Sequence, residues 1–243
     1  MTITAQPSQN RGVSPAGPPA LAAANQSVNP HDLAIAGHVA LSTCDWPGKL
    51  VTTVFLQGCP WQCGYCHNPD LIPARTAGVI PWQNVLDLLA KRRGLLDGVV
   101  FSGGEPTRQG KLLAAAMAEV KDLGFKVGLH SGGAYPKNLE LVLPYVDWLG
   151  LDVKAPMDLY QAITGRASSA RMFKASLEVV LASGVDTQVR TTVDPTVLSD
   201  DDVSRLTAWL AERGVTDHVL QTVRPDGTTE EFQAKLAAYR KSA

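Results

Sequence analysis

The chain has 243 residues, 45% hydrophobic and 19% charged, enough for a globular domain with a sizeable core. A formal net charge of −1 excludes a protein drawn as a whole to nucleic acid or an anionic membrane. No apolar run approaches the ~20 residues that span a bilayer, and no secretory signal opens the chain, so we expect a cytoplasmic protein.

Residues 1–30, rich in Ala, Pro, Ser and Gln, read as a disordered tail, leaving 31–243 as one domain. IAGHVAL (35–41) and LVTTVFL (50–56) read as strands. PWQNVLDLLAKRRG (81–94) is a helix with proline in its first turn, a stop at Gly94, and the cations Lys91, Arg92 and Arg93 at its C-terminal end. The strand DGVVF (97–101) leads to the helix QGKLLAAAMAEVKDLG (109–124), and FKVGL (125–129) to the short helix PKNLELVLP (136–144). DWLGLDV (147–153) is a strand, SARMFKASLEVVLASG (169–184) a helix, and VDTQVRTTV (185–193) a strand. Ser199 and Asp202 form a capping-box pattern ahead of a helix over 199–214. The strand DHVLQTV (217–223) and a closing helix over 228–243 complete the chain. About six strand–helix units after residue 50 are too few for an eight-stranded barrel. They suit a doubly wound sheet or a partial (β/α)6 TIM-like barrel, and we expect the latter: an α/β fold with an open parallel sheet and outer helices.

Sites in parallel α/β folds collect at the carboxyl ends of the strands. GCPWQCGYC, SGGEP, HSGG and the pair Asp152 and Lys154 each follow a strand, so they converge on one mouth. Cys59, Cys63 and Cys66 form CxxxCxxC, and three thiolates leave one position of a metal centre open for chemistry. The spacing leaves alternatives: Cys44 or His67 as a fourth ligand of a closed cluster or zinc site, or a thiol-rich loop without metal. Ser102, Gly103, Gly104, Glu105 and Pro106 read as a strand-to-helix turn or as backbone that approaches a ligand. Asp152 and Lys154 share a strand face, as a salt bridge or a ligand site. Arg190, in an apolar strand with Gln188 and Thr192 on its face, needs an acidic partner or a ligand, and Asp45 is an acidic candidate at the same mouth. His31, His38 and His218 read as structural or surface residues.

CPWQCGYCHNPDL with SGGEP one strand later resembles the radical S-adenosylmethionine (SAM) enzymes, more narrowly the activating enzymes of glycyl-radical enzymes. Phrases such as LHSGGAYP, LDVKAP and LQTVRPDG are similar to the anaerobic ribonucleotide reductase activating proteins. The resemblance implies that 31–243 is a radical SAM domain holding one 4Fe–4S cluster on Cys59, Cys63 and Cys66, with SAM chelating the fourth iron. One electron would then cleave SAM to a 5′-deoxyadenosyl radical, which abstracts hydrogen from a partner's glycine. It implies Tyr65 near the adenine, the 102–106 turn at the methionyl group, Asp152 and Lys154 beside the methionine moiety, and Arg190 near SAM or the glycine loop. No cysteine follows Cys66, so no auxiliary cluster is expected, and an external flavodoxin or ferredoxin must supply the electron. The implied partner is a class III ribonucleotide reductase. Two positions depart from the pyruvate formate-lyase activating pattern: His130–Ser131 replaces Asp-Thr, which puts a carboxylate-rich cation site in doubt, and Gln221 stands where a late histidine contacts the cofactor. Competing readings are a radical SAM enzyme acting on a small molecule, as 7-carboxy-7-deazaguanine synthase does, a non-catalytic four-cysteine zinc module, and a degenerate family member that senses through its cluster.

Overall fold

The computed structural model describes residues 28–242. Of the expected tail only 28–30 fall among them, and the buried Pro30 opens a 3-10 turn whose other two residues are exposed. The elements run β1 (Ile35–Ser42), β2 (Val51–Leu56), α1 (Trp82–Lys91), β3 (Gly98–Gly103), α2 (Gly110–Asp122), β4 (Lys126–Ser131) and α3 (Pro136–Val142). They continue β5 (Trp148–Asp152), α4 (Tyr160–Thr164), α5 (Ser169–Ser183), β6 (Asp186–Val193), α6 (Asp200–Ala211), β7 (His218–Thr222) and α7 (Glu230–Ser242). One seven-stranded sheet follows chain order from β1 to β7. β2 to β7 are parallel, the six expected units, and β1 adds an antiparallel edge beside β2. This is the expected open sheet with helices outside. The capping box of Ser199 and Asp202 is formed at α6. α1 stops at Lys91, and Gly94 lies in the next turn at φ +78°, where glycine carries no Cβ penalty. The five-residue α4 was not legible in the sequence.

Alternation along the strands sorts the side chains into two layers. Val99, Phe101, Val127, Leu129, Leu149 and Leu151 face the helices and are fully buried. The other face turns inward, where Trp46, Val51, Val100 and Trp148 form a second, smaller core. Trp46 enters from the β1–β2 loop and stacks on Trp148 at 5.6 Å and 18°, an aromatic pair worth ~1 kcal/mol beyond its burial. Two inward glycines make room. A Cβ at Gly128 would lie 2.8 Å from the Trp46 ring, and one at Gly150 would lie 2.8 Å from the Arg190 guanidinium carbon. The lower half of the interior is thus plugged by aromatics, and the upper half is left for polar groups.

Candidate cluster and cofactor pocket

At the carboxyl ends of β2 to β6 lies a pocket of about 200 Å³. A larger groove of about 780 Å³ runs between α3 and α5 on the outer surface, away from every strand end that carries polar chemistry. One wall of the pocket is the loop after β2, with Cys59, Cys63, Tyr65 and Cys66. The opposite wall is Asp152, Lys154, Arg190 and Thr192, and Ser102, Gly103, Gly104, Glu105, His130, Ser131 and Gly132 lie between. The cysteines are free thiols. Burial pushes the Cys59 thiol up to about 12, with Glu105 and Cys63 adding, and burial raises Cys63 as well. Positive charge beside them is what converts such thiols to thiolates. Among the described residues no three His, Cys, Asp or Glu side chains converge as a single-ion site demands. Cys44 is exposed in the β1–β2 loop, at the opposite end of the six-residue β2 from Cys59. The strand between them is ~20 Å long at 3.3 Å per residue, so Cys44 does not join the three, and the four-cysteine zinc reading is lost. The three thiols share one wall of the pocket.

The turn after β3 is built on Glu105, 2% exposed. Its Oε1 accepts from Thr107 N (3.1 Å) and from the hydroxyls of Thr107 and Ser131 (2.8 Å), and its Oε2 accepts from Gly132 N (2.9 Å). One carboxyl thereby ties the end of β3 to the end of β4. Burial raises its pKa, against those hydrogen bonds. Gly103 has φ +122°, and a Cβ there would strike the Leu56 backbone. A Cβ at Gly104 would lie 2.5 Å from the Gly58 carbonyl oxygen. The glycines let the turn pack against the cysteine loop and leave its backbone on the pocket. Pro106 is buried behind the turn and starts a 3-10 segment rather than lining the pocket.

β5 and β6 set Asp152 opposite Arg190 in register. Arg190 reaches Asp152 Oδ1 at 2.8 Å through Nη2, and Lys154 reaches Oδ2 at 3.3 Å. The salt-bridge reading of Asp152 and Lys154 therefore holds, with Arg190 as a third member. Burial pushes the Asp152 carboxyl up, but Lys154 and Arg190 outweigh it and hold it well below the usual range. His130 Nε2 lies 2.7 Å from the Asp45 carbonyl oxygen, so it carries the proton and donates; Arg190 Nη1 packs beside it at 3.4 Å. Burial lowers the His130 pKa to about 4, with Arg190 adding, so the ring is neutral. Asp45 is corrected: its Oδ2 accepts from Thr53 at 2.6 Å beneath the pocket, not at its mouth. Gln221 is exposed on β7, 3.5 Å from the Thr192 hydroxyl, and also lies outside the pocket lining.

Tyr65 is buried edge-on to Phe232 of α7, with Lys154 Nζ 5.9 Å above its ring. Its hydroxyl has no hydrogen-bond partner among the described residues, an orphan of the kind a ligand or water completes. Of the lining residues, the sequence placed Trp61, His130 and Gly132 at the mouth only as members of GCPWQCGYC and HSGG, offered His67 as a possible fourth ligand, put Thr192 on the face of Arg190, and gave Asn68 no role. The alternation of His130 with Gly128, and of Asp152 with Gly150 and Trp148, is the signal that would have placed His130 inside.

The profile of the Radical SAM superfamily matches residues 53–210. A pyruvate formate-lyase-activating enzyme of Clostridium pasteurianum is 31% identical over 173 residues, 69% of this chain and 71% of that one. The chain belongs to the radical SAM superfamily, among the glycyl-radical-enzyme activating enzymes. A Methanocaldococcus jannaschii protein named as a glycyl-radical enzyme activating enzyme is 27% identical over 208 residues, 82% of this chain and 84% of that one. Among solved structures, TYW1 with a lysine-pyruvate adduct bound superposes with a TM-score of 0.58 at 17% identity, covering 79% of this chain and 73% of that one. Streptococcus suis SuiB bound to S-adenosylmethionine does so at 0.55 and 15%, covering 76% and 45%. These two speak to the fold alone. The superfamily's 4Fe–4S cluster and SAM fit the residues present: three thiols on one wall, a glycine backbone turn, and an unpartnered buried hydroxyl.

Proposed function

We propose that this radical SAM enzyme installs a glycyl radical on a class III ribonucleotide reductase, using an electron from a flavodoxin or ferredoxin in the cytoplasm. What supports the activating role is the pocket itself, three thiols facing an Asp152–Arg190–Lys154 wall, in a chain similar to named activating enzymes. Cys59, Cys63 and Cys66 would hold the cluster, which would supply the electron for reductive cleavage of SAM and so for hydrogen abstraction from glycine. The glycine turn and Ser131 bind and orient the methionyl end. Lys154 and Arg190 supply fixed positive charge, and Tyr65, Trp61 and Phe232 exclude water. For the partner, the support is His130–Ser131 in place of Asp-Thr. Both Asp152 oxygens already carry cations, so the wall holds its charge without a carboxylate cluster. A second reading, pyruvate formate-lyase as partner, is favoured by the names of the Clostridium pasteurianum relative and its like. No helix among the described residues is long and apolar enough to cross a membrane.

The test is anaerobic. The protein is reconstituted with iron and sulfide, reduced with dithionite, given SAM, and 5′-deoxyadenosine is quantified beside a Cys63→Ala variant. Each candidate partner is then added and its radical followed by electron paramagnetic resonance. Deoxyadenosine from the wild type alone establishes the chemistry. A glycyl radical on the reductase and not the lyase establishes the partner; the reverse selects the second reading.

A further inference from the structure

We propose that the flank of the cysteine loop around Cys59 is the docking surface for an acidic one-electron carrier protein, engaged through Arg108 and Arg166. The inference rests on the radical SAM reading of the pocket and adds where the electron enters. Arg166 Nε donates to the Pro60 carbonyl at 2.9 Å. Arg108 packs on Gly58, where a Cβ would lie 2.8 Å from its Cδ and Nε, and Arg108 Nη2 donates to the Ala74 carbonyl at 2.6 Å. The two guanidinium groups therefore clasp the residues on either side of Cys59. Each spends one hydrogen bond on the loop, and a guanidinium has five N–H donors.

Neither arginine pairs with a carboxylate among the described residues. Arg166 is exposed and Arg108 half-buried. Half-buried Tyr135 lies within reach of the charges of both arginines, of Glu105 and of the Cys59 thiol. Between 58 and 86 the chain carries one acid, Asp70, and between 159 and 177 none, against Arg166, Arg171 and Lys174. Between 186 and 231, by contrast, Asp and Glu outnumber Lys and Arg. The side of β6, β7 and α6 is acidic and the Cys59 flank is basic. Such asymmetry steers an acidic protein to the basic flank and repels it from the other. Arg190 and Thr192 come from β6, four strands along the sheet from β2, so a carrier over Cys59 leaves the β6 side of the pocket free. The step moves one electron and no atoms. The reduced carrier is oxidised by one electron, and the cluster is reduced by one.

The test uses flavodoxin hydroquinone as the acidic donor and stopped-flow reduction of the reconstituted cluster as the readout. Three forms are compared: wild type, R108Q/R166Q, which removes both charges, and R108K/R166K, which keeps them. Wild-type reduction should slow steeply between about 50 mM and about 500 mM salt. The Gln variant should be at least about tenfold slower at low salt, with a flattened salt dependence, and the Lys variant should recover most of the rate. Reduction by photoreduced 5-deazariboflavin, and iron content, should be equal in all three. Equal flavodoxin rates in wild type and the Gln variant overturn the proposal, as does a loss that lysine does not restore. Binding of oxidised flavodoxin to the cluster-free chain, followed by thermophoresis, is the second readout: weaker binding by the Gln variant supports the surface, and equal binding overturns it. If no cluster assembles, the pocket reading fails while this binding comparison still decides the surface. If the Gln variant instead loses salt-dependent binding to the glycyl-radical partner, or to duplex DNA, with flavodoxin unaffected, the surface belongs to that partner and the proposal is overturned.

Discussion

Replacing Glu105 with glutamine tests whether the turn after β3 is held by a charge. All four partners of the carboxyl are N–H or O–H groups that donate to it, and Ser131 Oγ is itself an acceptor for Gly133 N at 2.9 Å. That pattern calls for an acceptor-only carboxylate, although burial pushes its pKa up. In Glu105→Gln the amide oxygen can keep the Thr107 and Ser131 contacts, but the amide NH2 then faces Gly132 N. One hydrogen bond to a charged group is lost and two buried donors are left unpaired. We expect a cost of about 2–3 kcal/mol, which for a domain of this size lowers Tm by ~5–10 °C. Urea unfolding is the assay, with tryptophan fluorescence as probe. Trp61 reports locally, because a Cβ on Gly132 would lie 2.5 Å from its ring. Stability equal to wild type would mean that the carboxyl is protonated in the fold, and the charge-based account of the turn would be refuted.

His130 makes the fold acid-sensitive: its pKa is lowered to about 4 by burial, with Arg190 adding, while the unfolded chain takes up that proton near pH 6.5. Stability from this group is therefore complete above about pH 6.5 and falls between there and about pH 4, by at most ~3 kcal/mol. His130→Gln should flatten that part of the urea–pH profile, and an unchanged slope would show that His130 is not its source. Asp152→Asn leaves Lys154 and Arg190, 15% and 13% exposed, around a neutral amide. It should cost ~2–3 kcal/mol, less than a fully buried pair because the carboxylate is itself 33% exposed; a loss under about 0.5 kcal/mol would show that solvent screens the wall. Cys44→Ser should leave iron per reconstituted chain unchanged while Cys63→Ala loses it, and equal losses would restore Cys44 as a ligand.

The parts of the site that lie close together in the chain were legible. Three thiols within eight residues and a glycine pair after a strand need only one loop and one turn to meet. Asp152 and Lys154 were paired from strand period alone, two residues apart on one face. Arg190 was known to need a partner, but choosing Asp152 over Asp45 required the register of β5 against β6. Asp45 failed for a related reason: its loop turns under the sheet, where Trp46 fills the space that Gly128 leaves.

By itself, the sequence determined the order of strands and helices apart from α4, because hydrophobic period and capping residues are local signals. It also brought the three thiols of Cys59, Cys63 and Cys66 together, because their spacing is intrinsic to one loop. Only the tertiary structure decided that Glu105 ties β3 to β4, that His130 points inward, and that Arg108 and Arg166 clasp Cys59 from segments 50 and 106 residues away. Those contacts depend on the curvature and register of the whole sheet, which bring together side chains that no local pattern relates.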